Sequence, residues 1–307
     1  MPGRPPAAPN PAGAHFLRDR ALIARLVRAS GAGPGELVFD LGAGYGAITA
    51  ALAASGARVI AVERDQRLAG RLRRRFDGHQ GIRVVEADLR LVPLPRRDFL
   101  VVANPPFSVT TALCRRLLGD PAVPLAGAEL ILQWGAARWL ANPVPRDAET
   151  AWWACRYQVT LTRRISAASF RPRPAADAAQ VSVRRRPGAA PAAAQRELRR
   201  LQRAAYARSR EPLDRALRCL EPGGRRVPGS SFRALAAAAG VSPRMPAALL
   251  TAEDWYQLGR QLAGRSADPP APHRPGAVEV RLRMTIPRPP DRTPGHGPNR
   301  APTDSMG

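Results

Sequence analysis

The chain has 307 residues, is 45% apolar and carries a formal net charge of +24. That length holds one α/β domain with a buried core plus a smaller domain, and so large a positive excess points to a polyanionic partner, nucleic acid above all. No apolar run reaches the length of a membrane span and no hydrophobic leader opens the sequence, which excludes a membrane or secreted protein and predicts a cytoplasmic one.

All 48 basic residues are Arg. A GC-rich genome accounts for Arg in place of Lys, but not for 48 basic residues against 24 acidic ones. Arg also suits RNA, because its planar fork pairs with phosphate and stacks on unstacked bases. Cys114, Cys155 and Cys219 are isolated and the four His residues show no ligand spacing, so neither a disulfide framework nor a metal site is predicted.

Residues 1–13 and 266–307 are crowded with Pro, Gly and polar residues. They bury too little apolar area to offset chain entropy and are expected to be disordered, with one stray strand at Ala277–Ile286. Helical spacing from Leu22 to Ser30 ends at Gly33-Pro34-Gly35. Strand and helix then alternate: strands at Leu37–Leu41, Arg58–Val62, Arg83–Glu86, Phe99–Ala103 and Glu129–Gln133, with helices at Ala47–Ser55, Gln66–Phe76 and Thr110–Leu118. Such alternation implies a parallel sheet with ligands beyond the carboxyl ends of its strands. Gln158–Arg163 and Gln180–Arg185 read as further strands closing one edge, and Pro187–Pro191 as a linker. Ala193–Leu220 and Ser231–Leu262 are helical in pattern, broken by the turn-rich Glu221–Ser230.

The chemistry gathers at the predicted strand ends. The first strand runs into Asp40-Leu41-Gly42-Ala43-Gly44-Tyr45-Gly46, where Gly42 and Gly44 let backbone approach a ligand. With Ala47 this loop also fits a relaxed dinucleotide fingerprint, so a nicotinamide oxidoreductase enters as an alternative. Glu63 ends the second strand, placed to accept from ribose hydroxyls, and Asp88 follows the third, placed to accept from an adenine amino group. The fourth strand leads into Asn104-Pro105-Pro106-Phe107. The Asn104 side chain and the Pro105 carbonyl are acceptors in a turn stiffened by proline, able to grip both hydrogens of an exocyclic amine and aim its nitrogen at the methyl of S-adenosylmethionine. Phe107 can stack on a base taken out of its helix; a nicotinamide enzyme leaves this turn unexplained. Further on, Arg199, Arg200, Arg203, Arg208 and Arg210 offer a phosphate-contacting surface.

With these blocks the chain resembles the ribosomal RNA adenine dimethyltransferases, which include the erythromycin-resistance methyltransferases and the small-subunit housekeeping enzymes. The likeness runs from about Ala14 to Leu262. It takes in His15–Asp19, Gly42–Gly46, Glu63, Asp88, Asn104–Phe107, Leu132-Gln133 with Ala137-Arg138, Phe170–Pro174 with Asp177, and the helices at Tyr206–Leu217 and Ala239–Leu258. The resemblance implies a Rossmann-like, S-adenosylmethionine-dependent methyltransferase fold with a small all-α C-terminal domain, over residues 14–187 and 188–265. It also implies that His15, Leu17, Gly42, Gly44, Glu63, Asp88 and Asn104 lie at the cofactor, and that a monomer methylates adenine N6 without a metal. Ala14 stands where the family usually has Gln, and Pro105 where it has a branched residue. The Arg-rich composition and Pro-rich tail match a GC-rich actinobacterium, which favours the macrolide-resistance branch acting on 23S rRNA over the 16S rRNA dimethyltransferase.

Overall fold

The computed structural model describes residues 14–188, 191–217 and 229–266. The expectations for residues 1–13, the tail beyond 266 with its strand at Ala277–Ile286, Cys219 and most of the turn after Glu221 lie outside the described residues.

A two-residue strand, β1 (Phe16–Leu17), opens the fold, followed by α1 (Arg20–Ser30). Asp19 starts the helix by accepting from the Leu22 amide at 3.0 Å, and Gly31 ends it in the left-handed region at φ 74°. Then come β2 (Leu37–Leu41), α2 (Ala47–Ala54), β3 (Arg58–Glu63), α3 (Gln66–Arg75), β4 (Ile82–Glu86) and β5 (Phe99–Ala103), within two residues of the predicted bounds. These segments were readable because they are short apolar runs punctuated by Gly and by polar caps.

The expected helix at Thr110–Leu118 is less regular. It begins as α4 (Thr110–Cys114) and widens into a π-helical turn over Arg115–Gly119. β6 (Leu125–Gln133) starts four residues before the expected Glu129, because Gly127 and Ala128 look like loop in sequence yet pair with β5 and β9 on either side, with Ala126 bulged out of the β5 register. Two helices had no prediction: α5 (Trp134–Leu140) and α6 (Ala148–Arg156). In α6 Ala151, Trp152, Trp153 and Ala154 are all buried, so no amphipathic stripe betrays it. β7 (Tyr157–Ile165), β8 (Phe170–Arg171) and β9 (Ala178–Arg185) complete the strands.

The main sheet has the order β4-β3-β2-β5-β6-β9-β7, parallel through β6 and antiparallel at β9 and β7. The chain winds one way from β2 and the other from β5, so the switch point lies between them. The loops after β2 and β5 flank a crevice there, as ligand sites in such sheets do. The fold is therefore the predicted Rossmann-like α/β class.

The helical C-terminal part contains α7 (Ala192–Ala207), α8 (Leu213–Ala216), α9 (Gly229–Ala238) and α10 (Ala252–Ser266). Both long predicted helices are interrupted. Pro212 cannot continue α7, and Gly240 at φ 71° with Pro243 and Pro246 ends α9. The side chains of α7 and α10 share one core with α6, through Leu198, Leu201, Trp152, Trp153 and Trp255. The Trp255 ring nitrogen lies 3.3 Å from the Tyr206 hydroxyl, which donates to the Pro145 carbonyl at 2.9 Å.

Candidate active site

Four loops at the carboxyl ends of β2, β3, β4 and β5 open onto a cavity of about 1280 Å³. It is lined by Gly42, Glu63, Asp88 and Asn104, together with His15 and Leu17 from the N-terminal segment, six of the residues singled out in the sequence. Gly44, Pro105 and Phe107, chain neighbours of lining residues, are not themselves part of that lining.

The glycine loop is a tight cradle. Gly42 has φ 87°, and a Cβ there would sit 3.6 Å from the Pro105 Cα. Gly44 has φ 55°, and a Cβ on it would lie 2.7 Å from the Phe16 ring. Phe16, which sequence reasoning passed over, thus closes down on the loop and meets Tyr45 edge-on with ring centroids 4.6 Å apart. Beneath the loop, Asp40 is fully buried and its Oδ2 accepts from the Thr49 hydroxyl at 2.6 Å. Burial pushes its carboxyl from the usual 3.8 up to about 7, against the pull of the Thr49 hydrogen bonds, with the Glu63 charge adding to the rise. The folded state therefore keeps a proton that the unfolded chain has lost. The associated stability is fully present below pH 4 and declines as pH rises through 7. Asp40→Asn is expected to raise Tm relative to the wild type by more at pH 8 than at pH 5; equal increments at both would show that Asp40 does not titrate in the fold.

Glu63 bridges two backbone segments. Its Oε2 accepts from the Gly44 amide at 2.9 Å and its Oε1 from the Asp65 amide at 2.8 Å. Each oxygen keeps a further lone pair for a ribose hydroxyl. Asp88 is held by a residue absent from the sequence reading. The Arg90 guanidinium reaches both carboxylate oxygens at 2.6–3.1 Å, Arg64 lies 3.9 Å away, and the Arg90 hydrogen bond draws the Asp88 carboxyl down to about 2. Asp88 is thus an ionised acceptor, and Arg90 is exposed. Glycine cradle, diol acceptor and amine acceptor together fit an adenosyl cofactor.

After β5, across β2 from β3 and β4, the Asn104 Nδ2 donates to the His15 carbonyl at 2.6 Å. Its Oδ1 is buried and has no hydrogen-bond partner. Phe107 is half-buried, its ring 5.5 Å from His15 and 6.5 Å from Phe170 between centroids.

The five arginines of the helical part do not behave alike. Arg199 is engaged within the fold: it donates to the Gly119 carbonyl at 2.7 Å and its guanidinium lies 4.3 Å from the Trp152 ring centroid. Arg200, Arg203, Arg208 and Arg210 are at least partly exposed. α7 rises from the amino ends of the strands, beside Gly119, to their carboxyl ends, where Tyr206 meets Pro145. Arg208 and Arg210 follow Tyr206 in the chain and are exposed.

Among the described residues, no His, Cys, Asp and Glu group could hold a metal ion, and no helix is long and apolar enough to cross a membrane.

The model of the ribosomal RNA adenine dimethylase family matches residues 10–263. The mycinamicin-resistance protein MyrB of Micromonospora griseorubida is 36% identical, over 57% of this chain and 55% of its own. Ribosomal RNA small subunit methyltransferase A of a Synechococcus strain is 33% identical, over 57% of this chain and 66% of its own. The aligned stretch thus spans less than two thirds of either relative. Among solved structures, the 23S rRNA methyltransferase ErmE superposes with a TM-score of 0.68 at 27% identity, over 80% of this chain and 99% of that one.

Proposed function

The chain belongs to the ribosomal RNA adenine dimethylase family, and from that premise we propose that it transfers a methyl group from S-adenosylmethionine to the exocyclic amine of an adenine in 23S rRNA, conferring resistance to macrolides and related drugs. The observation that carries this reading is the buried, unpartnered Asn104 Oδ1 at the edge of a cavity built for an adenosyl group.

When bound, the cofactor supplies a methyl group already activated on sulfur, so the protein's task is placement. Glu63 holds the ribose diol and Asp88 the cofactor's amine. Asn104 Oδ1 and the Pro105 carbonyl accept the two hydrogens of the target amine, which turns its lone pair toward the methyl. Phe107 stacks on the extruded base. The nicotinamide alternative falls away, because family membership gives the glycine loop an adenosyl ligand of another kind.

The choice of 23S over 16S rRNA rests on the likeness to ErmE over nearly its whole length, and the resistance reading on the likeness to the mycinamicin-resistance protein MyrB. The small-subunit relative keeps 16S rRNA as the second reading. Labelled-methyl transfer onto purified 23S and 16S rRNA, with the modified base mapped, decides between them; label on 16S rRNA alone would overturn the first.

For RNA binding, we place the phosphate contacts flanking the target base on the exposed Arg208 and Arg210 beyond the end of α7. Arg208→Ala with Arg210→Ala is expected to weaken rRNA binding and to lower its log–log salt slope by about 0.7–0.9 for each phosphate that is no longer neutralised. Arg199→Ala should instead lower Tm and leave that slope alone. Filter binding from 50 to 200 mM salt checks both; the reverse pattern would return the RNA surface to the other end of α7.

A further inference from the structure

An Asn side-chain amide turned by 180° fills the same space but exchanges acceptor for donor. At Asn104 that exchange would face NH₂ against the target amine, donor against donor. Something must therefore select one orientation, and the structure supplies it. The Nδ2 of Asn104 donates to the backbone carbonyl of His15 at 2.6 Å, leaving Oδ1 on the other side. A carbonyl only accepts, so it admits only the NH₂ end of the amide.

That carbonyl sits in a short antiparallel clasp. The His15 Nδ1 lies 2.8 Å from the Pro172 carbonyl, Phe16 pairs with Arg171, Leu17 pairs with Phe170, and the Arg18 amide donates to the Ser169 carbonyl at 3.2 Å. Four consecutive residues are thus tied to four others, on a base made firm by buried Leu17 and Phe170. Because the Pro172 carbonyl can only accept, the His15 Nδ1 carries the proton that joins them.

We infer that the His15 backbone carbonyl, fixed by the clasp between residues 15–18 and 169–172, is a positioning group for methyl transfer: it sets the Asn104 amide so that its oxygen receives the target amine. The inference rests on the proposed role of Asn104. Its effect falls on turnover rather than on cofactor affinity, because the cofactor's ribose and amine are held by Glu63 and Asp88 on other loops.

The test weakens this one acceptor in the full chain. Replacing Phe16 by its α-hydroxy analogue turns the 15–16 amide into an ester, whose carbonyl is a poorer acceptor and which also lacks the Phe16 N–H of the clasp. The same change at Arg18 takes away the N–H that donates to the Ser169 carbonyl, one bond of the clasp, and spares the His15 carbonyl. With the 16 ester, kcat is expected to fall about tenfold while cofactor Kd and RNA KM stay within about twofold, as when a hydrogen bond that acts only in the reaction is removed. The 18 ester is expected to keep kcat within about twofold of the wild type, because it costs the clasp one bond and leaves the His15 carbonyl intact. Equal turnover in the two esters, whether both are active or both impaired, would overturn the inference. Asn104→Ala run alongside separates the two failures: if it retains turnover, the role of Asn104 itself is wrong, whereas if it is inactive and the esters do not differ, only the positioning role is.

Discussion

Asn104→Ala is expected to lower the rate of methyl transfer by about 10²–10³, the loss typical of removing one preorganised hydrogen-bonding group from a reacting centre. Cofactor affinity should change little. The side chain follows β5, across β2 from the strands that lead to Glu63 and Asp88, and in the free protein its amide nitrogen is turned to the His15 carbonyl. Truncation removes the buried Oδ1 that meets the target amine and frees the His15 carbonyl, which still lies beside the open cavity. Adenine can then bind with its amine unaligned, so the deficit belongs to kcat more than to KM. Single-turnover rates with saturating RNA, together with calorimetry of cofactor binding, separate the two. A variant with near wild-type turnover would remove Asn104 from the reaction.

How much of this was legible in the sequence depends on how far each feature is local. β2 and β5 were bounded to the residue, because each is an apolar run that ends in a motif with chemical meaning, the glycine loop after Leu41 and Asn104-Pro105-Pro106 after Ala103. Glu63, Asp88 and Asn104 could be placed at one end of a sheet by counting strands alone, and they line one cavity. The clasp could not be read in this way. β1 and β8 have two residues each and join positions more than 150 residues apart, too short for a period and too distant for a turn signal. α6 escaped because its tryptophans are covered by the sheet on one side and by α7 and α10 on the other, which erases the helical stripe. Arg199 shows the limit for charge patterns. It stands in a run of basic residues that looks uniformly solvated, yet its guanidinium is held against Trp152. Which arginine of a run faces inward is decided by the tertiary neighbour and not by spacing.

Glu63→Ala is expected to raise the Kd for S-adenosylmethionine by about 10–100-fold, since a hydrogen bond to a charged group is worth about 1.5–3 kcal/mol. The structure adds a second route to the same loss. Glu63 joins the amide of Gly44 in the cradle to the amide of Asp65, and Asp65 in turn caps α3 by accepting from the Leu68 amide at 2.9 Å. Removing the carboxylate therefore takes away the diol acceptor and loosens the cradle that Phe16 closes. Glu63→Gln separates these contributions. Its amide keeps one oxygen for one of the two backbone donors and presents NH₂ to the other, so Kd should fall between the wild type and the Ala variant. Tm distinguishes anchoring from recognition: both variants should lose some stability, because an amide of the part-buried loop is left unsatisfied. Only a ribose acceptor also makes the free energy of cofactor binding fall by more than that of a 2′,3′-dideoxy analogue, which has no hydroxyl to lose. If Glu63→Ala weakens the natural cofactor and the dideoxy analogue equally, Glu63 acts through the loop alone, and the diol must be held elsewhere in the cavity.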